Sequence, residues 1–239
     1  MANRSHTAEH THTDGRTDWG APRVVSATDL TFLWEDCPSC FHRKVVLGER
    51  RPASPFPSVF NRIDRAMKRW YIGAGTGVLP KDLVGATVVN TDLWVCSEEL
   101  VPPGCAGAVM LRGRVDALVA FPDDTLGVVD FKCLPADTER TQVYFPQLST
   151  YSWALNHPAR REPRSIERMG LLCFAPAQYE AVDDRASLSG TTSWLEVERD
   201  DEAFLDRLTQ VGKTLDQPEV PASDPDCRFC RWRVGARRR

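Results

Sequence analysis

Residues 111–133 read LRGRVDALVAFPDDTLGVVDFKC, two apolar, β-branched runs separated by Pro122, Asp123, Asp124 and Thr125. Turn residues between two such runs predict a β-hairpin. Asp116 stands in the first run, and Asp130 and Lys132 stand in the second. Charges inside strands are costly unless they are paired or hold a metal. Side chains alternate faces along a strand, so Asp130 and Lys132 share one face, opposite Val129, Phe131 and Cys133. Arg114 and Asp116 likewise share a face, opposite Val115 and Ala117. Pairing through the turn brings Asp116 toward Asp130, and two adjacent carboxylates call for a proton or a cation between them. Oxygen ligands of this kind suit Mg²⁺ or Mn²⁺. A purely structural ion-pair cluster of Arg114, Asp130 and Lys132 is the alternative.

Working outward, VYFPQLSTYSWALNH predicts a helix beginning near Pro146, with Gln147 and Tyr151 one turn apart on one face. Ahead of the hairpin, SATDLTFLWEDC predicts a short helix with Ser26 as N-cap and Asp29 in a capping-box position. SVFNRIDRAMKRWYIG predicts a second helix, with Val59, Ile63, Ala66, Met67 and Trp70 as its apolar side and Gly73 as its stop. TDLWVCSEEL, IERMGLLCFAP and SWLEVERD read as strands, DEAFLDRLTQVGKTL as an amphipathic helix, and QPEVPASDPD as a linker. This order predicts an α/β (α+β) fold, a central mixed sheet flanked by helices.

A chain of 239 residues with 42% hydrophobic and 26% charged residues is long and apolar enough for a packed core. No apolar run reaches the roughly 18–20 residues of a membrane helix, and MANRSHTAEHTHTDGRTDWG lacks a secretory h-region. The expectation is a cytoplasmic protein without a membrane partner. The net charge of −3 excludes a uniformly basic coat, yet RFCRWRVGARRR carries six arginines, and FNRIDRAMKRW and HPARREPRSIER are also basic. Such patches suit a phosphate backbone or are simply solvated faces. Residues 1–22, with His6, His10 and His12, read as a disordered tail, 23–232 as a single domain, and 233–239 as a basic C-terminal tail. Of the eight cysteines, Cys37 pairs with Cys40 and Cys227 with Cys230 at CxxC spacing, while Cys96, Cys105, Cys133 and Cys173 read as core.

GRVDAL, VVDFKC and Gln147-x-x-x-Tyr151, in that order, resemble the motifs of the PD-(D/E)XK nuclease superfamily. Within it they resemble the RecB-like branch, which includes the CRISPR-associated RecB-like exonucleases, and SATDLTFLWEDCPSCF resembles that branch's opening. The resemblance spans roughly residues 26–232. It implies a restriction-endonuclease-like core and divalent-metal-dependent hydrolysis of DNA phosphodiester bonds, exonuclease-like on single strands or ends. Repair, recombination or defence, beside a helicase or another protein of such a pathway, is the implied setting. Asp116, Asp130 and the backbone carbonyl of Phe131 are then ligands of Mg²⁺ or Mn²⁺. Lys132 positions the attacking water and stabilises the transition state. Gln147 and Tyr151 orient the lysine or contact the phosphate strand, and Arg62, Arg65, Lys68, Arg69 and Arg114 line the DNA path.

The resemblance also implies a [4Fe–4S] cluster on Cys37, Cys40, Cys227 and Cys230, joining the N- and C-terminal segments. Two CxxC pairs are equally the spacing of a structural Zn²⁺ site, and spacing does not choose between them. The chain departs from the family in two places. Asp64 stands where relatives carry a metal-contacting His, with Phe60 in place of a small residue; it is either a ligand or an i,i+4 partner of Lys68. The C-terminal segment has no third cysteine, a place that Cys40 fills. The alternative function is a catalytically inactive nucleic-acid-binding or partner-scaffolding module.

Overall fold

The structure is a computed structural model, and it describes residues 22–52, 57–73, 79–83 and 85–236. The expected tail at 1–22 lies outside these residues but for Pro22, as do Arg237–Arg239 of the basic C-terminal tail.

Six strands form one mixed sheet: β1 (Arg23–Ser26), β2 (Thr87–Leu100), β3 (Val109–Ala120), β4 (Leu126–Lys132), β5 (Ile166–Val182) and β6 (Arg185–Val197). Their order is β1-β3-β4-β5-β6, with β2 also paired to β3. β1–β3 and β4–β5 are parallel, and the other pairs are antiparallel. The helices are α1 (Trp34–Asp36), α2 (Pro38–Leu47), α3 (Ser58–Gly73), α4 (Glu139–Asn156), α5 (Asp201–Leu215) and α6 (Arg228–Ala236). Parallel neighbours need a crossover, and α4 provides it between β4 and β5. Among the described residues no helix is long and apolar enough to cross a membrane.

Two apolar layers fix the sheet between helices. On one side Leu148, Tyr151 and Leu155 of α4 pack on Val115, Leu118, Val128 and Met169. On the other, Tyr71 and Met67 of α3 pack with Leu83 and Ala86 on Val129, Phe131 and Val119. A third core joins Phe204, Leu208 and Val211 of α5 to Phe41 of α2 and Val25 of β1. The fourth cluster is the four cysteines of the two CxxC pairs.

The hairpin turn and α5 fall where the sequence predicts. Ser26 caps its helix as expected: its Oγ accepts from the Asp29 N–H at 3.1 Å and donates to Asp29 Oδ2 at 2.7 Å. That helix passes through a π-helical segment, Asp29–Leu33, before α1. Other expectations need correcting. α4 starts at Glu139 and carries Pro146 in its interior, because Tyr144 and Phe145 ahead of the proline gain apolar contacts on the core. The apolar side of α3 is rotated: Trp70 is 61% and Val59 50% exposed, while Tyr71 and Lys68 are buried. Cys173 is buried, but Cys96 is exposed and Cys105 and Cys133 are only half-buried. β1 and the outer half of the β5–β6 ribbon are strands that the sequence pattern does not predict.

Candidate active site

The site forms where β3 and β4 part. Their pairing runs from Ala120↔Leu126 to Ala117↔Val129 and stops. On the same edge of β3 the next partner is β1, which reaches only to Arg112. Residues 113–116 therefore border an opening in the sheet, with Asp116 at its rim. Strand alternation slips here too, since Val115 and Leu118 join the core under α4 while Ala117 and Val119 join the opposite one. Asp116 Oδ2 accepts from the Phe131 N–H at 2.9 Å, in place of a ladder bond.

From α4, Gln147 Nε2 donates to Asp130 Oδ1 at 3.2 Å and to the Tyr151 hydroxyl at 2.8 Å. The Lys132 ammonium contacts Asp130 Oδ2 and lies 4.6 Å from the centre of the Tyr144 ring. Asp130 is 2% exposed. Burial, only partly offset by Lys132, together with the charge of Asp116 pushes its carboxyl up to about 7. Burial works against the charge on Lys132, but Asp130 outweighs it and holds the ammonium above its usual range. Burial and the charge of Asp130 likewise raise the Tyr151 phenol, so it stays a neutral donor and acceptor.

From α3, the Lys68 ammonium lies among three carboxylates: Asp116 Oδ1 at 2.7 Å, Asp92 Oδ1 at 2.9 Å and Asp64 Oδ2 at 3.0 Å. Burial disfavours that charge, yet Asp116, Asp92 and Asp64 together hold Lys68 well above the ordinary lysine range. Burial raises the Asp64 carboxyl more than Lys68 lowers it. Asp92 sits on β2 at φ 53°, a left-handed conformation that aspartate tolerates better than most residues. It also takes Arg114 at 3.2 Å.

Asp64, Asp116, Asp130, Lys132, Gln147 and Tyr151 thus line one cavity of about 500 Å³, with Phe131 and Phe60 also on its wall. Arg62, Arg65 and Arg69 are exposed on the outer side of α3, and Arg114 is exposed on β3. Lys68 is 8% exposed, so the expectation that it lines a DNA path is corrected: its charge is spent on the three aspartates. The signal was available, because Asp64, Met67, Lys68 and Tyr71 share one face at helical spacing. Asp92 and Tyr144 join the site without a signal in the sequence. Asp92 takes its place from a backbone twist that no local pattern announces, and Tyr144 from the helix turns ahead of Pro146.

A divalent cation is tested by the donors present. Asp116, Asp130 and the Phe131 carbonyl are hard oxygen donors, and each Asp116 oxygen keeps a further acceptor position beyond its present partner. Gln147 Oε1 is buried without a hydrogen-bond partner, an acceptor left for a donor entering the cavity. The residues fit such an ion.

A second centre lies at the other end of the chain's path. Cys37 precedes α2 and Cys227 precedes α6, so each CxxC pair straddles a helix start. Cys37–Cys230, Cys40–Cys230 and Cys40–Cys227 sulfur separations are 3.6, 3.7 and 3.9 Å. All four sulfurs lie within 4.8 Å of one another, and all four residues are buried. Burial pushes the Cys37 thiol up to about 12, so a cation is what would hold it as thiolate. Arg51 donates to Cys227 Sγ at 3.4 Å and stacks 4.5 Å from the Phe229 ring, supplying positive charge beside the sulfurs.

Residues 82–234 match the family model of the PD-(D/E)XK nuclease superfamily. No curated protein matches the chain. Thirteen chains of solved structures match. One of these is described as the crystal structure of SSO0001, with 14% identity over 84% of this chain and 77% of that one, and a TM-score of 0.45.

Proposed function

The chain belongs to the PD-(D/E)XK nuclease superfamily, and on that premise we propose that it hydrolyses DNA phosphodiester bonds at the cavity between α3 and α4. The observation that carries this is the joining of Asp116, Asp130 and Lys132 in one cavity, at the point where β3 and β4 separate. Asp116, Asp130 and the Phe131 carbonyl are the residues to hold Mg²⁺ or Mn²⁺, which supplies Lewis acidity and a more acidic bound water. Lys132 places its charge beside Asp130, where it orients the attacking water and offsets the charge that develops on the phosphoryl oxygens. Gln147 holds Asp130 through one hydrogen bond and Tyr151 through another, fixing the carboxylate's orientation. Lys68 neutralises Asp116 from the α3 side and keeps Asp64 beside the cavity. Asp64 takes the position of the family's helix histidine and is a further candidate ligand.

The RecB-like branch, with action on single strands or ends in repair, recombination or defence, is the finer reading. The N-terminal helix and the four cysteines support it. Residues 23–232 act as one domain in this reading, closed by the metal on the cysteines. For that metal the sulfur spacing supports one tetrahedral Zn²⁺: a Zn–S bond of about 2.3 Å gives S···S edges near 3.8 Å. A [4Fe–4S] cluster places a separate iron under each thiolate, which sets the sulfurs further apart.

The test of the catalytic assignment is Lys132→Ala in a cleavage assay on labelled DNA with Mg²⁺ or Mn²⁺. Loss of cleavage with an unchanged melting profile is the expected result, and cleavage at the wild-type rate would remove Lys132 from the mechanism.

A further inference from the structure

A second cavity, of about 450 Å³, lies beyond the outer end of α4, against the edge formed by β2. Its floor is apolar, from Ala154, Leu155 and Met110, and its rim carries Arg112, Arg160, Arg161 and Arg164 with Glu162 as the one acid among the described lining residues. Arginines on the sheet's opposite edge are ion-paired, Arg168 with Glu196 and Arg199 with Asp201. The four on this rim make no ion pair with any described residue. Four cations left unpaired around one groove, with Arg112, Arg160 and Arg161 exposed and Arg164 half-buried, form a local positive field in a chain whose net charge is −3.

Trp94 stands on the wall of this groove and is 64% exposed. An indole standing that far into water has no packing role on the side it exposes. Opposite it across the β2–β3 ladder is Arg114, whose guanidinium carbon is 6.0 Å from the ring. Arg114 lies two residues from Asp116 on β3, about 7 Å along the strand. Contacts also run continuously from the catalytic cavity to the groove: Asp116 to Lys68, Lys68 to Asp92, Asp92 to Arg114, and Arg114 to Trp94.

We propose that this groove is the docking track for single-stranded DNA on one side of the active site. Arg112, Arg160, Arg161 and Arg164 take backbone phosphates, and Trp94 stacks a base. A positively charged groove interleaved with an exposed aromatic ring is the chemistry that recognises an unpaired strand: arginines track the phosphates, and every base offers a π-face. A duplex keeps its bases stacked on one another and leaves Trp94 without a role. The proposal takes its substrate class from the nuclease reading, but its test does not depend on cleavage.

The experiment is fluorescence anisotropy of a labelled oligo-dT strand with the full-length protein in buffer free of divalent ions. Arg112→Ala/Arg160→Ala/Arg161→Ala removes three phosphate contacts. It should weaken binding on the order of 10-fold or more and lower the slope of log K against log salt by about 2, from about 0.7 per contact on a single strand. Trp94→Ala should weaken binding by about 5- to 150-fold for single strands and leave a duplex of the same length unaffected. Arg185→Ala, on the distant β5–β6 ribbon, should change nothing. Wild-type affinity and salt slope in the triple variant would overturn the proposal, as would equal losses on strand and duplex for Trp94→Ala. Cleavage with Mg²⁺ or Mn²⁺, measured separately at saturating DNA, separates the two readings. A protein that binds through the groove but never cuts refutes the nuclease reading alone, and one that cuts while the groove variants bind normally refutes the track alone.

Discussion

Lys68 offers the most quantitative test of how the candidate active-site cavity is held together. Its side chain is 10% exposed and satisfies carboxylates on three elements, α3, β2 and β3. Lys68→Met keeps the length and the apolar stem but removes the ammonium, leaving Asp64, Asp92 and Asp116 facing one another. Removing one partner of a buried ion pair costs about 3–5 kcal/mol. Asp116 is 16% exposed, but Asp64 and Asp92 are 35% and 37% exposed and partly solvated, so the lower end, about 3 kcal/mol, applies. For a domain of this size that is a fall in Tm of about 6–12 °C. The assay is a thermal melt in metal-depleted buffer, repeated with Mn²⁺. A divalent ion bound among carboxylates that have lost their ammonium should stabilise the variant more than the wild type. A variant that melts within about 2 °C of wild type, with the same response to Mn²⁺, would show that Lys68 does not hold these carboxylates.

Gly113→Ala places a Cβ 2.3 Å from Tyr151 Cε1 and 3.3 Å from the Ala27 Cβ; overpacking of this kind costs about 1–3 kcal/mol. Because Tyr151 positions Gln147 and Gln147 positions Asp130, cleavage should fall by more than DNA binding does, read from paired cleavage and anisotropy assays. Burial pushes the metal-free Asp130 carboxyl up to about 7, and a protonated carboxylate cannot bind the ion, so Mn²⁺ affinity should rise as pH is raised through about 7, measured by calorimetry with proton release. The sign for stability is the reverse: the folded carboxyl holds its proton more tightly than the unfolded one, so metal-free stability falls as pH rises from about 4 through about 7. Cys230→Ser should remove the thiolate-bound metal and lower Tm. Elemental analysis of the wild type should find one zinc per chain with no iron and no visible absorption band, and four irons per chain would refute the tetrahedral assignment.

Much of the site was legible because local pattern and chemistry coincide there. The turn between Phe121 and Thr125 sets the register that brings Asp116 and Asp130 onto neighbouring strands, and helical spacing alone puts Gln147 above Tyr151. The glycine in GRVDAL also finds its reason, since the Tyr151 ring fills the space a side chain at 113 would need. The four cysteines are readable from spacing, but their approach depends on the fold bringing the starts of α2 and α6 together. What was not legible depends on distant partners. β1 is four residues that become a strand only because the start of β3 accepts them in parallel. The outer β5–β6 ribbon, exposed on both faces, has no apolar alternation to announce it. The first turns of α4 were hidden by Pro146, whose helix-breaking tendency is outweighed by the burial of Tyr144 and Phe145. The i,i+4 pair of Lys68 with Asp64 is legible, but a lysine on a basic helix is usually solvated, and only the fold brings Asp92 and Asp116 to it.

The central claim is that the separated ends of β3 and β4 form a nuclease centre, and its most direct test is cleavage of labelled single- and double-stranded DNA by wild type and by Asp130→Ala. Both proteins are assayed with Mg²⁺ or Mn²⁺ and with the cysteine-bound metal confirmed intact. The account predicts metal-dependent cleavage by the wild type and none by the variant. Cleavage by both would place the reaction elsewhere, and cleavage by neither would make the domain a binding module that keeps the fold without the chemistry.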